Sequence, residues 1–147
     1  MQRFSDKRVM PYTAKQMYDL VADIESYPKF LPWMAATRVR DRQRNGDALV
    51  EIVEMKVSFK VFRETFGTRA TLREEARTIV SELTDGPFRF LLSQWAFRDV
   101  EGGCEVDYQI EFDFKNLILR KTAGAFFEEA QRKIMGAFQK RAEALYG

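Results

Sequence analysis

The chain has 147 residues, of which 46% are hydrophobic and 31% are charged, and its formal net charge is only +2. This length and balance predict a single globular domain, residues 1–147. The small net charge also excludes DNA binding driven by the overall charge of the protein. The chain contains no histidine and one cysteine, Cys104. Zinc and iron–sulfur sites are therefore not expected, and no cofactor is predicted.

The N-terminal sequence MQRFSDKRVM contains no apolar segment like that of a signal peptide. No apolar run approaches the roughly 18 residues of a membrane span. We therefore expect a cytoplasmic domain or one at the periphery of a membrane. The lack of histidine also removes the commonest general base, so the sequence does not predict an enzyme.

A strand is predicted over residues 3–10, and a helix follows it. Thr13 and Gln16 have the spacing of a capping box, which begins a helix by satisfying free backbone N–H groups. Apolar residues then recur at helical spacing, which predicts a buried face. These residues are Met17, Leu20, Val21 and Ile24.

Residues 26–33, SYPKFLPW, contain three aromatic residues, two prolines and one charge. Because proline lacks a backbone N–H and disfavours the helical conformation, at most one further helical turn is predicted here. Two interpretations are open and compatible. The segment is either a packed corner over one end of the core or a rigid apolar lid over an internal ligand site.

After residue 34 the pattern alternates, which predicts about six antiparallel strands. Residues 58–61 contain no typical turn pair, so a bend or bulge is expected there. Residues 62–72 predict an inward-facing set of Phe62, Phe66, Thr68, Ala70 and Leu72. The pairs typical of hairpin turns are Asn45-Gly46, Asp85-Gly86 and Gly102-Gly103.

Residues 104–114 alternate most regularly of all. The apolar side chains are predicted to face inward: Val106, Tyr108, Ile110, Phe112 and Phe114. The polar side chains form a predicted outer row, solvated and paired with Arg3 and Lys7: Glu105, Asp107, Gln109, Glu111 and Asp113.

The chain ends in a long amphipathic helix, predicted over residues 117–145. Its predicted apolar stripe is Leu119, Ala123, Phe126, Phe127, Ala130, Ile134, Phe138 and Leu145. The order of elements predicts an α+β fold in which a curved antiparallel sheet of about seven strands wraps around this helix. A helix and a short helical turn follow the first strand.

Four segments resemble the coenzyme Q-binding protein family, which belongs to the START-like, polyketide-cyclase-like superfamily with the helix-grip fold. They are LVADIESYPKFLPW (20–33), RETFGTR (63–69), DGPFRFLLSQWAF (85–97) and FFEEAQRKIMGAFQKRAEALYG (126–147). The resemblance implies a protein that binds ubiquinone as a ligand, not as a catalytic cofactor, and carries it in support of respiration. It also implies a cytoplasmic location at the inner face of the respiratory membrane, with transient contact to its surface.

Two alternatives stay open. A related branch of ribosome-association toxins resembles this chain in the same motifs, which implies a ribosome-binding regulator that blocks subunit association. The second alternative, a cyclase-like or aromatase-like enzyme, is disfavoured because no histidine or evident acid–base pair marks the predicted interior.

A ligand between the sheet and the last helix would contact the side chains that are predicted to face that space. Plain core packing is the default interpretation of these side chains, and the aromatic excess of the chain, with 13 phenylalanines, supports a ligand site as the alternative. The predicted ligand-binding residues are Tyr27, Phe30, Leu31, Trp33, Val53, Met55, Phe59, Phe62, Phe66, Trp95, Phe112, Phe114, Phe126, Phe127 and Ile134.

Charged residues near this interior allow two readings each. Glu51 and Glu64 fall on inward positions and are interpreted as rim charges, the alternative being polar anchors for a quinone oxygen. Alternation predicts that four arginines share one strand face. This face is interpreted as an ordinary exposed surface, the alternative being a contact surface for an anionic membrane or ribosomal RNA. The four arginines are Arg38, Arg40, Arg42 and Arg44.

Overall fold

In a computed structural model, which describes residues 1–59 and 62–147, a seven-stranded antiparallel sheet packs against a long C-terminal helix. The strands are β1 (Gln2–Met10), β2 (Met34–Asn45), β3 (Ala48–Phe59), β4 (Phe62–Arg73), β5 (Thr78–Asp85), β6 (Phe88–Val100) and β7 (Gly103–Phe114). The helices are α1 (Ala14–Ala22), a 3₁₀ helix (Ile24–Lys29) and α2 (Leu117–Tyr146). The predicted α+β fold, with its curved sheet around the last helix, is confirmed.

The strand order is β1-β7-β6-β5-β4-β3-β2, so every neighbour except the β1–β7 pair is joined by a short connection. The predicted hairpin turns are present, and Gly46 and Gly102 adopt positive φ angles of 62° and 88°. Glycine adopts this conformation without the steric cost that a Cβ brings. The bend or bulge predicted at residues 58–61 falls on Lys60 and Val61, which lie outside the described residues.

The start of α1 follows the predicted capping box. The Thr13 hydroxyl accepts a hydrogen bond from the Gln16 backbone N–H at 3.0 Å, and the Gln16 side chain accepts one from the Thr13 backbone N–H at 2.9 Å. The four apolar residues of the predicted inner face, from Met17 to Ile24, are all buried. The helix α1 packs against β6, β7 and α2.

The apolar side of α2 packs on the concave face of the sheet, as predicted, with two corrections. Leu145 was predicted to belong to the apolar stripe but is 51% exposed. Gln131 and Met135 were not predicted but are buried. At the N-terminal half of α2, Phe127 packs among rings from three strands, with Phe88 at 5.0 Å and Phe112 at 5.4 Å between centroids.

The prediction that four arginines share one face of β2 is wrong. The register of β2 with β3 shifts between Val39 and Asp41, as in a β-bulge. A bulge adds one residue to a strand and so reverses the facing of every residue after it. In the strand register, Arg38 is opposite Glu54, Arg42 is opposite Glu51 and Arg44 is opposite Leu49. Arg38 and Arg40 therefore lie on the outer face of the sheet. Arg42 and Arg44 lie on the inner face.

The acidic outer row of β7 is present, and Lys7 lies 3.9 Å from Asp107. Asp113 departs from the prediction of a solvated row, because it is buried beneath two arginines. Arg89 donates to one carboxylate oxygen at 2.6 Å and Arg120 to the other at 3.1 Å. The Arg89 hydrogen bond holds the pKa of Asp113 below its usual value.

Among the described residues, no helix is long and apolar enough to cross a membrane. In the same part of the chain, no group of His, Cys, Asp and Glu side chains could hold a metal ion.

Candidate functional site

A cavity of about 100 Å³ lies between the concave face of the sheet and α2. Side chains from the 3₁₀ helix and the loop after it, from β2 to β7 and from α2 form its wall. Nine of the predicted ligand-binding residues line it: Tyr27, Leu31, Trp33, Met55, Phe66, Trp95, Phe126, Phe127 and Ile134. Their contact with a ligand stays a prediction.

The other six predicted residues pack around the cavity without forming its wall. Phe30 packs on Phe138, with 5.1 Å between the ring centroids. The remaining five residues face inward from their strands but do not line the cavity. At their positions along the strands, an inward-facing side chain can contact the helix or another ring instead. They are Val53, Phe59, Phe62, Phe112 and Phe114.

The corner formed by residues 26–33 packs against the core and also lines the cavity, and its role as a lid over a ligand stays a prediction. The Tyr27 hydroxyl donates to the backbone carbonyl of Val21 at 2.5 Å, and its ring meets Phe138 edge-on at 5.3 Å. Leu31 and Trp33 then reach the cavity wall. The hydrogen bond ties the 3₁₀ helix to α1 and so positions this wall.

Five polar residues that were not predicted as site residues also line the cavity: Thr68, Ser81, Ser93, Tyr108 and Gln131. The Tyr108 hydroxyl donates to Gln131 Oε1 at 2.5 Å, joining β7 to α2 across the interior. Burial raises the pKa of Tyr108 above its ordinary value, so the phenol stays a hydrogen-bond donor. One feature of the sequence predicts Gln131: it lies within the apolar stripe, four residues after Phe127 and three before Ile134.

Glu51 is not a rim charge, since it is only 5% exposed. Its Oε2 atom accepts a hydrogen bond from Arg42 Nε at 2.8 Å, and Arg42 Nη2 also donates to Glu25 of the 3₁₀ helix at 2.8 Å. This chain of charges joins β3, β2 and the 3₁₀ helix. Neither Glu51 nor Glu64 lines the cavity, so neither is placed to anchor a ligand there.

A surface hollow adjoins the cavity and shares Trp33, Phe126 and Ala130 with it. Phe59 stacks on Phe126 at 4.4 Å between ring centroids on this side of the protein. The hollow reaches Lys133 on the outer side of α2. The apolar end of the cavity therefore lies close to the surface, between the loop after the 3₁₀ helix and α2.

This sheet, helix and cavity define a START-like domain with the helix-grip fold. The chain belongs to the polyketide cyclase / dehydrase and lipid transport family, whose model matches residues 10–139. The solution structure of the 18 kDa protein CC1736 from Caulobacter crescentus has the same fold. Its TM-score is 0.83 at 35% sequence identity, over 100% of this chain and 99% of that one.

Two curated relatives carry different names. The ribosome association toxin RatA of Rickettsia prowazekii is 34% identical over 146 residues, which are 97% of each chain. The coenzyme Q-binding protein COQ10 homolog B of Xenopus laevis is 28% identical over 151 residues, covering 98% of this chain and 59% of that protein. The resemblance stated from the motifs is confirmed by both relatives.

The names of these relatives describe a toxin and a binding protein, not enzymes. The Zhui aromatase/cyclase from Streptomyces sp. R1128 has a similar structure, with a TM-score of 0.81, but only 13% sequence identity. That likeness shows the fold alone, because one fold supports many unrelated chemistries.

Proposed function

We propose that this protein binds a hydrophobic small molecule, a polyprenyl quinone such as ubiquinone, between its sheet and α2, and carries it without catalysis. The observation that supports this proposal is the cavity, whose wall is largely aromatic and aliphatic. An apolar chain gains roughly 25 cal/mol for each Å² of surface that it removes from water. The name of the COQ10 relative indicates the quinone as the first ligand to test.

The cavity is smaller than the roughly 300–1,000 Å³ of typical ligand sites. A long polyprenyl tail therefore cannot lie wholly inside the protein as it stands. The proposal places part of the tail in the hollow beside Trp33 and Phe126, where the cavity comes close to the surface. Rigid rings at this position lose little conformational freedom when they contact a ligand.

A carrier must exchange its ligand with a bilayer, and one end of α2 has the chemistry for such a contact. Leu117 and Ile118 are 64% and 74% exposed at the start of the helix. Lys115 and Lys121 lie close to them in the sequence and are also exposed. Exposed apolar side chains among cations fit an anionic lipid surface, which we propose as the site of exchange.

The ligand is tested by purifying the protein without detergent from a host that makes quinone, then extracting it for mass spectrometry. Wild-type protein should carry quinone reproducibly. Ile134→Glu should carry none, because it places an unpaired charge on the cavity wall. Arg132→Glu, at an exposed position two residues earlier on α2, should carry as much as wild type. Phe127 is unsuitable for this test, since a charge among its packed rings would disrupt the core itself.

Wild-type protein that carries no quinone and takes up none from vesicles would refute the carrier function. A melting curve for each variant separates loss of ligand from loss of fold.

A second candidate function, ribosome association, is supported by the name of the Rickettsia prowazekii relative and its 34% identity over almost the whole chain. It is tested by sedimenting the protein with purified ribosomal subunits on a sucrose gradient. Co-sedimentation that weakens with salt, together with an absence of bound quinone, would make this the first candidate. Arg38 and Arg40, on the outer face of β2, are the first residues to replace in that case.

A further inference from the structure

Three hydroxyl side chains lie on neighbouring strands at the floor of the cavity: Thr68 on β4, Ser81 on β5 and Ser93 on β6. Ser81 and Ser93 are directly opposite in the sheet. Ser81 is also opposite Ala70, which is the next inward position after Thr68 on β4. We call these three residues the hydroxyl stripe. It crosses a concave face whose other inward positions are mostly apolar.

Thr68 is 2% exposed, and its hydroxyl oxygen has no hydrogen-bond partner in the part of the chain that the structure describes. A buried hydroxyl without a partner destabilises a protein, so such groups are rare unless another molecule satisfies them. On the α2 side, Gln131 accepts from Tyr108 through its oxygen, and its amide nitrogen carries two N–H donors. The cavity therefore contains polar groups on two sides.

No side chain that lines the cavity within residues 1–59 and 62–147 carries a charge. An ionised carboxylate or phosphate would lose its hydration there without gaining an opposite charge, which is strongly unfavourable. Hydroxyl and amide groups can donate to uncharged carbonyl or ether oxygens instead. The cavity thus favours a neutral ligand with hydrogen-bond-accepting oxygens over a fatty acid or a phospholipid headgroup.

From this arrangement we infer that the cavity binds a neutral lipid in one orientation, with its oxygen-bearing headgroup on the hydroxyl stripe and its apolar tail toward Trp33 and Phe126. The inference rests on the proposed function and adds to it the chemical class and the direction of the ligand. The tail direction follows from the hollow, which adjoins the cavity at Trp33, Phe126 and Ala130.

The test uses the protein's own tryptophans, since both of them, Trp33 and Trp95, line the cavity. Binding of a ubiquinone with two isoprene units is measured by quenching of their fluorescence. Binding of an isoprenoid hydrocarbon of matched length, which has no oxygen, is measured by its competition with this quinone. The variant is Thr68→Val, which replaces the hydroxyl by a methyl group, and the matched control is Thr65→Val on the outer face of the same strand.

Thr68→Val should weaken quinone binding about 3- to 10-fold, the effect of one lost hydrogen bond. It should leave hydrocarbon binding within about 2-fold, and Thr65→Val should change neither. Wild-type protein should also bind farnesol more tightly than farnesoate at neutral pH, because only the second is charged.

An equal effect of Thr68→Val on both probes, or no effect on the quinone, would overturn the assignment of the headgroup. Tighter binding of farnesoate than of farnesol would overturn the neutral class. In either case binding of the hydrocarbon by wild-type protein would leave the carrier function standing. Wild-type protein that binds none of the probes would overturn the proposed function and this inference with it.

Discussion

Replacing Ala130 by leucine tests directly whether the space beneath α2 is empty and is the ligand site. Ala130 is buried in the middle of the helix and lines both the cavity and the adjoining hollow. Leucine adds three carbon atoms toward a space of about 100 Å³ and has a high helix propensity. We expect Ala130→Leu to be more stable than wild type and unable to bind the quinone.

The size of this effect follows from two estimates that agree. An empty cavity costs about 24 cal/mol for each Å³, or about 2.4 kcal/mol for this one. Burying three additional carbon groups contributes about 0.8 kcal/mol each, which gives about the same total. Ordering the leucine side chain costs about 0.5–1 kcal/mol, so the net gain is about 1.5 kcal/mol. For a chain of this length, that raises Tm by about 3–6 °C.

The free energy of unfolding is measured by urea denaturation, and quinone binding by tryptophan quenching. Ala125→Leu, the same substitution at an exposed position of α2, is the control and should keep wild-type binding. A loss of more than about 1 kcal/mol in Ala130→Leu would mean that the side chain is overpacked and that the space is not available. A stable Ala130→Leu that binds quinone normally would place the ligand elsewhere.

Three further predictions concern other parts of the molecule. Ile118→Ser should weaken flotation with anionic vesicles at low salt, whereas Leu145→Ser, at the other end of α2, should not; equal effects would contradict the proposed membrane contact. Burial raises the pKa of Cys104 to about 11, so the native thiol should resist a thiol reagent at pH 8 and react only in urea. This pKa exceeds that of the unfolded thiol. The contribution of the protonated Cys104 thiol to the free energy of unfolding is therefore fully present below about pH 9 and is lost as pH rises through about 11. Gly103→Ala should lower the free energy of unfolding in urea by more than about 3 kcal/mol, since its Cβ would collide with the backbone at the end of β1. Gly102→Ala, which meets no neighbour but keeps a positive φ, should cost only about 1–2 kcal/mol, and similar losses would refute the steric argument.

Features that depend on neighbouring residues could be predicted from the sequence. The capping box at Thr13 acts over three residues, and the turn at Asn45-Gly46 requires only a residue that tolerates positive φ. The alternation in β7 also follows from local geometry, because successive side chains of a strand point to opposite faces. These local rules were sufficient to derive the order of elements and most of the inward faces.

Features that depend on pairing between distant segments could not be predicted in this way. The bulge in β2 moved Arg42 to the inner face, where it pairs with Glu51 and buries a carboxylate that had been interpreted as a rim charge. Alternation likewise predicted that Phe66 and Phe112 face inward, but only the packing of α2 decided that Phe66 lines the cavity and Phe112 does not. The sequence by itself determined the elements and, outside β2, most of their inner faces, because those depend on contacts a few residues apart. The tertiary structure decided which inner side chains surround empty space, because that depends on where the helix and the strands leave a gap.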